Sequence, residues 1–263
     1  MRFARTIIIA VVLIAAGIGA SRLSATEIPQ GERRSGYDFM TPDTQAIQND
    51  DTANPGMLWV LDGEALWKSK TGAAGKACAD CHEDARASMK GVAARYPAFD
   101  KTLGRPVNLE QRINMCRVQH QQTTALPYEN RDLLALAAFV AQQSRGMPVE
   151  TGADPQLAPF IGNGRGLFMT RQGQLNLGCA NCHDDNWDKH LAGSAITQGH
   201  PTGYPLYRLE WQSLGSLQRR MRACMTGVRA QAYEYGAPEL VELELYLMSR
   251  AQGMPMDSPA VRP

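Results

Sequence analysis

The sequence has almost no excess of charge of either sign. Its 263 residues include 27 lysines and arginines and 26 aspartates and glutamates, which gives a formal net charge of +1. Proteins that bind nucleic acids usually present a strongly basic face, because contacts with phosphates dominate their affinity. The charge balance therefore gives no indication of a nucleic-acid partner, and we expect none.

The sequence also lacks a hydrophobic run long enough to cross a membrane. Its longest apolar stretch spans only residues 7–20, whereas a membrane-spanning helix needs about 20 apolar residues. Arg2 and Arg5 precede this stretch and small residues follow it, which is the pattern of a signal peptide. We therefore expect residues 1–25 to be a signal peptide for export, and we expect no permanent membrane anchor.

Sustained alternation of apolar and polar residues, which a half-buried strand would require, is missing as well. Each half of the chain instead combines helix-like apolar segments with loops and irregular stretches. Residues 133–143 and 240–248 are the apolar segments that close the two halves. These patterns predict a mainly α-helical fold with much loop.

One pattern occurs twice along the chain. Gly63 to Trp67 and Gly164 to Phe168 share a Gly-x-x-Leu-aromatic motif, and in both copies the aromatic residue precedes a cysteine by 11 positions. The segment 148–159 between the copies is rich in proline, glycine and aspartate, which is typical of a linker. The repeat predicts two tandem domains related by internal duplication.

We place the domain boundary in that linker. Residues 26–150 are expected to form the first domain with an N-terminal extension, and residues 151–263 the second. Each half has the length of a small single domain.

Four of the six cysteines lie in two Cys-x-x-Cys-His units. In such a unit the thiols add to the vinyl groups of haem, and the histidine binds the iron as the proximal ligand. A redox-active cysteine pair or half of a zinc site is the alternative for a single unit. Zinc would need a second pair of ligands about 12 to 20 residues further on, and neither unit has one. The units are Cys78, Cys81 and His82, and Cys179, Cys182 and His183.

Two such units in one exported chain predict two covalently bound haems of c type. The fold class is therefore mainly α, with two tandem cytochrome c-like domains. A large flat cofactor would fill the centre of each domain, which explains the loop-rich pattern.

The remaining cysteines, Cys116 and Cys224, each follow an arginine by four positions. They lie before the last helix-like segment of their copy, where the distal ligand of a small cytochrome c is expected. We predict that both bind iron. A disulfide between them is the alternative, since oxidising compartments pair thiols. Other residues of ligand type in the two halves are His120 and Met147, and His190, His200, Met225 and Met254.

Two Cys-x-x-Cys-His units, each followed by Arg-x-x-x-Cys after a signal peptide, resemble the SoxA family, the dihaem subunits of periplasmic SoxAX cytochromes. The likeness extends from about Gly63 to Pro255, and residues 220–227 are its most specific part. The resemblance implies that Cys224 is both a distal haem ligand and the reactive residue, with Arg220 lining the substrate approach.

The resemblance also implies the activity and the partners. The family, L-cysteine S-thiosulfotransferase, couples thiosulfate oxidatively to a cysteine of the carrier protein SoxYZ and forms a cysteine S-thiosulfonate. Electrons leave through a small cytochrome subunit, SoxX, in a heterodimer. The implied location is the periplasm.

The helical spacing of Arg220 and Cys224 gives a chemical explanation for an arginine at this position. Residues at i and i+4 lie on one helix face, so a guanidinium would stand beside the sulfur of Cys224. Such a cation favours thiolate and can bind a sulfur oxyanion by paired hydrogen bonds. The alternative role is that of a haem propionate partner, which we assign to Arg112 in the first copy.

Two other functions fit the same motifs. One is a thiosulfate dehydrogenase-type dihaem enzyme that joins two thiosulfates into tetrathionate. The other is a dihaem electron carrier with methionine ligands and no substrate.

Overall fold

The computed structural model describes residues 28–263. The predicted signal peptide, residues 1–25, lies outside them. Within the described residues no helix has both the length and the apolar character needed to span a bilayer.

Helices dominate the described part of the chain, and the strands are short. The helices are α1 (Pro42–Asn49), α2 (Gly56–Lys68), α3 (Ala79–His82), α4 (Ala85–Ser88), α5 (Leu109–Cys116), α6 (Arg131–Gln142), α7 (Ala158–Met169), α8 (Cys179–His183), α9 (Leu217–Gly227) and α10 (Pro238–Arg250). The strands are β1 (Ala98–Asp100), β2 (Arg105–Val107), β3 (His190–Leu191), β4 (Ser194–Ala195), β5 (Leu206–Arg208), β6 (Ser213–Gly215) and β7 (Val261–Arg262). Single turns of 3-10 helix occur at Gln30–Glu32, Gly36–Phe39, Ala93–Arg95 and Pro155–Leu157, and α5 continues into a π-helical turn, Arg117–Gln121.

The duplication is confirmed element by element. Helices α2, α3, α5 and α6 of the first half correspond to α7, α8, α9 and α10 of the second. In each half the first helix packs closely on the last, α2 on α6 and α7 on α10. The mainly α, tandem architecture is therefore as predicted.

Glycine permits the close crossing of these helices. A Cβ atom on Gly63 would lie 2.2 Å from the carbonyl oxygen of Ala135, and one on Gly164 would lie 2.0 Å from that of Glu242. The aromatic residues of the same motif, Trp67 and Phe168, are buried one helical turn further on. The Gly-x-x-Leu-aromatic motif thus fixes the crossing point.

An antiparallel hairpin precedes the arginine–cysteine helix in each half. Strand β1 pairs with β2, and β5 pairs with β6 in the same relative register. The sequence predicted only an irregular segment here, because strands of three residues are too short to show a period.

The C-terminal strand connects the second half to the N-terminal extension. Strand β7 pairs in parallel with β5, and the backbone N–H of Val261 donates to Gln48 Oε1 at 3.1 Å. Trp59 of α2 packs edge-on against Tyr207 of β5, with ring centroids 5.9 Å apart. The two halves therefore share part of one core.

Polar side chains also join the halves. Asn108, which caps α5, and Gln218 of α9 both donate to Glu244 Oε2, at 3.1 and 3.4 Å. Glu110 is buried nearby. Burial raises the pKa of both carboxyls, and the proximity of Glu110 raises the pKa of Glu244 further.

The buried carboxyls of Glu110 and Glu244 should make the stability of the protein depend on pH. Because their pKa values in the folded protein lie above the ordinary 4.5, the folded state holds protons that the unfolded chain has released. Their contribution is complete below about pH 4.5 and falls as pH rises to about 8. We expect Glu244→Gln to flatten the decline of the unfolding free energy, measured by denaturant titration. The same change at the exposed Glu234 should leave the slope as it is.

A second prediction concerns the helix crossing. Gly164→Ala forces α7 away from α10, and we expect a loss of about 1 to 3 kcal/mol in unfolding free energy. Gly166 lies in the same helix with no atom within 4 Å of an added Cβ. Gly166→Ala should therefore stabilise the protein by up to about 1 kcal/mol. Equal effects of the two changes in denaturant unfolding would contradict the crossing argument.

Candidate haem sites

The first Cys-x-x-Cys-His unit borders a mainly apolar cleft. Helix α3 supplies Cys81 and His82, and Cys78 directly precedes that helix. Cys116, the last residue of α5, lines the same cleft. The other lining residues are Trp67, Lys76, Ala77, Met89, Val92, Tyr96, Leu109, Arg112, Ile113, Arg117, His120, Gln121, Leu136 and Val140.

A haem group fits the cysteines and the histidine of this cleft and the residues that line it. Buried Nε of Arg117 and buried Oε1 of Gln121 have no hydrogen-bond partner, although both residues line the cleft. A propionate side chain could accept from Arg117. Trp67 packs against His82 with ring centroids 5.7 Å apart, which holds the imidazole at the cleft wall.

The second unit orients its histidine by a backbone contact. His183 Nδ1 lies 2.6 Å from the carbonyl oxygen of Thr197. A ring that donates from Nδ1 to a carbonyl keeps its Nε2 lone pair for a metal. Gly199 packs on the ring, since a Cβ there would lie 3.2 Å from it. Nε2 of His183 could therefore bind a metal, as the sequence predicts.

Cys224 faces this histidine. Helix α9 includes residues 217–227, as the spacing of Arg220 and Cys224 predicted. Burial by itself raises the pKa of Cys224, but the proximity of His183 and the charges of Arg220 and Arg208 together act more strongly in the opposite direction. The pKa of this thiol therefore lies below the ordinary 9.0.

The other cysteines with shifted values behave oppositely. Burial raises the pKa of Cys179 to about 12, and it also raises the pKa values of Cys78, Cys116 and Cys182. Of these five thiols, Cys224 is the one whose pKa its surroundings lower.

The disulfide alternative is not supported. All six cysteines are free. Cys116 lies in the first cleft, and the charge that acts on it comes from Arg112 and Cys81. Cys224 lies beside Cys179 and His183 in the second site. The structure places each extra cysteine with the Cys-x-x-Cys-His unit of its own half.

Two arginines with similar sequence contexts have different partners. Arg112 Nη2 donates to Asp100 Oδ2 at 2.6 Å, so the predicted propionate partner already has a carboxylate. Arg220 has no carboxylate partner within residues 28–263, and its charge lowers the pKa of Cys224.

A buried ion pair follows the second unit. Arg250 Nη2 donates to Asp184 Oδ1 at 2.6 Å, and the two side chains are 3% and 4% exposed. The guanidinium also lies over Phe168, 4.4 Å from the ring centroid. Its Nε and Nη1 have no hydrogen-bond partner, and its charge acts on Cys179. A haem propionate would fit those two donors.

The other histidines and methionines that the sequence offered as iron ligands have different surroundings. His120 lines the first cleft but is exposed, and His190 is exposed on β3. His200 is buried, with Nδ1 at 2.9 Å from the carbonyl oxygen of Arg34, so it is a structural residue and not a surface one. Met147 and Met254 follow the last helix of their copies.

Sequence reasoning missed Arg208, Thr197 and the pair of Asp184 and Arg250. A shared Tyr-Pro step, at Tyr96 and Tyr204, marks the start of both hairpins. An alignment of the two copies at this Tyr-Pro pair would have identified Arg208 as a residue near the second site. The contacts of Thr197 and Arg250 have no counterpart in sequence spacing.

Two crossed helix pairs, each with a Cys-x-x-Cys-His unit and a facing cysteine, define a c-type cytochrome with tandem domains. The family model described as SoxA/TsdA, cytochrome c domain, matches residues 62–149 and 163–256. The chain belongs to the SoxA family. It is 39% identical to the L-cysteine S-thiosulfotransferase subunit SoxA of Rhodovulum sulfidophilum over 231 residues, which cover 88% of this chain and 80% of that protein.

Other relatives agree. The SoxA subunit of Pseudaminobacter salicylatoxidans is 38% identical over 235 residues, which cover 89% of this chain and 82% of that protein. The crystal structure of SoxXA from P. pantotrophus superposes with a TM-score of 0.85 at 31% identity, over 88% of this chain and 87% of that chain. Sequence and fold thus give the same family.

The ion pair beside His183 yields a prediction. Asp184→Asn leaves the buried guanidinium of Arg250 without its charge partner, and removal of one member of a buried pair costs about 3 to 5 kcal/mol. The exposed pair of Arg131 and Asp62, at 2.6 Å, is the control. Asp62→Asn should cost less than about 1 kcal/mol. Denaturant unfolding of the haem-loaded protein measures both, and equal losses would contradict the assignment.

Proposed function

We propose that this chain is the catalytic dihaem subunit of a SoxAX-type L-cysteine S-thiosulfotransferase. The observation that supports this most directly is the environment of Cys224. Its thiol lies beside His183 in the second half, and the charges of Arg220 and Arg208 act on it and help to lower its pKa. No comparable set surrounds Cys116, whose pKa is raised.

Each half is proposed to hold one haem. Cys78 and Cys81 would form the thioether bonds of the first, and His82 and Cys116 would bind its iron. Cys179 and Cys182 would form those of the second, with His183 and Cys224 at its iron. When bound, the haem supplies a one-electron acceptor, and a thiolate ligand lowers its potential. The orphaned buried donors of Arg117 and Arg250 support this arrangement.

Residues of the second half would have separate roles in the reaction. Arg220 attracts the thiosulfate dianion, because a guanidinium binds oxyanions through paired hydrogen bonds. Cys224 would form a sulfur–sulfur bond with the sulfane sulfur of the intact thiosulfate as two electrons pass to the electron acceptor. The carrier thiolate would then attack that sulfane sulfur and release the thiolate of Cys224. Thr197 holds the imidazole of His183 in one orientation through its carbonyl oxygen.

The overall reaction joins thiosulfate to the thiol of a carrier protein. A sulfur–sulfur bond forms between the sulfane sulfur and the carrier sulfur, and one proton and two electrons are released. The product is a cysteine S-thiosulfonate. We propose SoxYZ as the carrier, with the signal peptide directing the chain to the periplasm.

A small c-type cytochrome subunit is proposed as the electron acceptor and heterodimer partner. The similar structure from P. pantotrophus is of SoxXA, and the superposition covers most of this chain. The same partner would complete the electron path out of the protein.

Replacement of Cys224 tests the proposal. We expect Cys224→Ser to reduce carrier-dependent coupling by at least about a thousandfold, as loss of a nucleophile does in other enzymes. The intact mass of the variant should still correspond to two haems. The assay follows the mass of the carrier protein after incubation with thiosulfate and an electron acceptor.

Cys116→Ser is the matched control. It should alter the visible spectrum of one haem and retain far more activity than Cys224→Ser. Undiminished coupling by Cys224→Ser would refute the role of Cys224. Tetrathionate as the product, formed equally well without carrier protein, would instead indicate the thiosulfate dehydrogenase reaction.

A further inference from the structure

The two halves differ in charge at one structurally equivalent position. Asp100 ends β1 and Arg208 ends β5, and both occupy the outermost pair of hairpins with the same register. Tyr-Pro precedes both strands. The duplicated scaffold thus places an acid at this point in the first half and a base in the second.

In the first half the acid neutralises the arginine beside the cysteine. Asp100 Oδ2 accepts from Arg112 Nη2 at 2.6 Å, and the carboxylate is 7% exposed. Its other oxygen accepts from the backbone N–H groups of Thr102 and Leu103, both at 2.9 Å. This carboxylate is therefore fixed in place and is paired with the guanidinium of Arg112.

In the second half the corresponding residue adds a charge. Arg208 is 9% exposed, and its buried Nε has no hydrogen-bond partner among residues 28–263. Its neighbouring carboxylate, Glu210, lies 3.1 Å from Nη2 but is 63% exposed, so solvent screens its charge. Trp211 covers another side of the guanidinium at 5.3 Å.

Within residues 28–263 neither Arg208 nor Arg220 has a buried carboxylate partner. The two arginines occupy the positions of Asp100 and Arg112, which are in direct contact at 2.6 Å in the first half. Burial and the charge of Arg220 lower the pKa of Arg208, as two neighbouring cations would. A buried charge without a partner is costly. Such a pair is tolerable where an anion of charge −2 binds between the guanidinium groups.

We propose that Arg208 and Arg220 together form a pocket for a small divalent sulfur oxyanion, and that Arg208 makes the second half the substrate site. The sulfonate oxygens accept from the two guanidinium groups, and the sulfane sulfur points to Cys224. The identification of this anion as thiosulfate rests on the proposed function, whereas the negative charge of the ligand follows from the arginine pair.

The pocket explains why the second half, and not the first, would bind the substrate. The haem ligands alone do not explain this difference. Both halves offer a cysteine after Arg-x-x-x, yet in the first half the arginine is already paired. A dianion gains little there, because one carboxylate already occupies the guanidinium. Arg208 is thus a specificity-determining residue, and no change in the haem ligands is needed to separate the two sites.

Conversion of the second site to the charge pattern of the first is the test. In the haem-loaded heterodimer, Arg208→Asp should weaken thiosulfate binding at least about a hundredfold, since a carboxylate would now pair with Arg220. Equilibrium dialysis with radiolabelled thiosulfate, without carrier protein, measures this directly. In the coupling assay the same change should raise KM more strongly than it lowers kcat.

Three further variants make the result specific. Arg208→Lys keeps the charge and should weaken binding less than about tenfold, and Arg208→Gln should fall between the other two. Arg165→Asp makes the same charge change at an exposed position of α7 and should leave binding within about twofold. Intact mass and visible spectrum confirm that each variant holds its haems, and Arg208→Gln decides the question if Arg208→Asp loses them.

The outcomes separate this proposal from the proposed function. Binding that is unchanged in both Arg208→Asp and Arg208→Gln overturns the pocket, even if the wild type couples thiosulfate to the carrier. Arg208-dependent binding without any coupling supports the pocket and overturns the proposed reaction. Equal losses in Arg208→Asp and Arg165→Asp would reduce the effect to general surface charge and overturn the proposal.

Discussion

The close crossing of two helices at a glycine is the constraint on which both halves of the molecule depend. At Gly63 and Gly164 the helices approach so closely that a single Cβ atom would collide with a backbone oxygen. Trp67 and Phe168 are then buried one turn away, where each half presents its Cys-x-x-Cys-His unit. Because the crossing is the same in both halves, the two clefts have the same framework, and their differences arise from individual side chains.

Those differences are electrostatic. In the first half a fixed carboxylate, Asp100, pairs with Arg112, and burial raises the pKa of Cys116. In the second half Arg208 stands in place of the acid, and the pKa of Cys224 is lowered. One duplicated scaffold thus yields a thiol in a neutral environment and a thiol in a cationic one. The first suits a structural or electron-transfer site, and the second suits a site that binds anions.

The two halves also contact one another more extensively than two domains joined only by a linker would. Strand β7 returns to pair with β5, and Glu244 of the second half accepts from Asn108 of the first. A shared core keeps the two Cys-x-x-Cys-His units at a fixed separation. The buried carboxyls at this junction make the stability of the junction sensitive to pH.

Much of the fold and site was predictable, because covalent haem attachment needs an invariant local pattern. Cys78, Cys81 and His82 are close in sequence, and so are Arg220 and Cys224 on one helical turn, so spacing alone was sufficient. The short hairpins were not predictable, since three residues show no period. Nor was the Asp184–Arg250 pair, whose members lie on α10 and just beyond α8.

The sequence by itself determined the duplication, the Cys-x-x-Cys-His chemistry and the position of Cys224 beside Arg220, because these are local patterns that helical geometry converts directly into neighbours. Only the tertiary structure decided which thiol is activated. The pKa of Cys224 depends on Arg208 and His183, which lie on other segments. Their charges reach the sulfur only after the chain has folded, since electrostatic interactions depend on distance through space and not on separation along the chain.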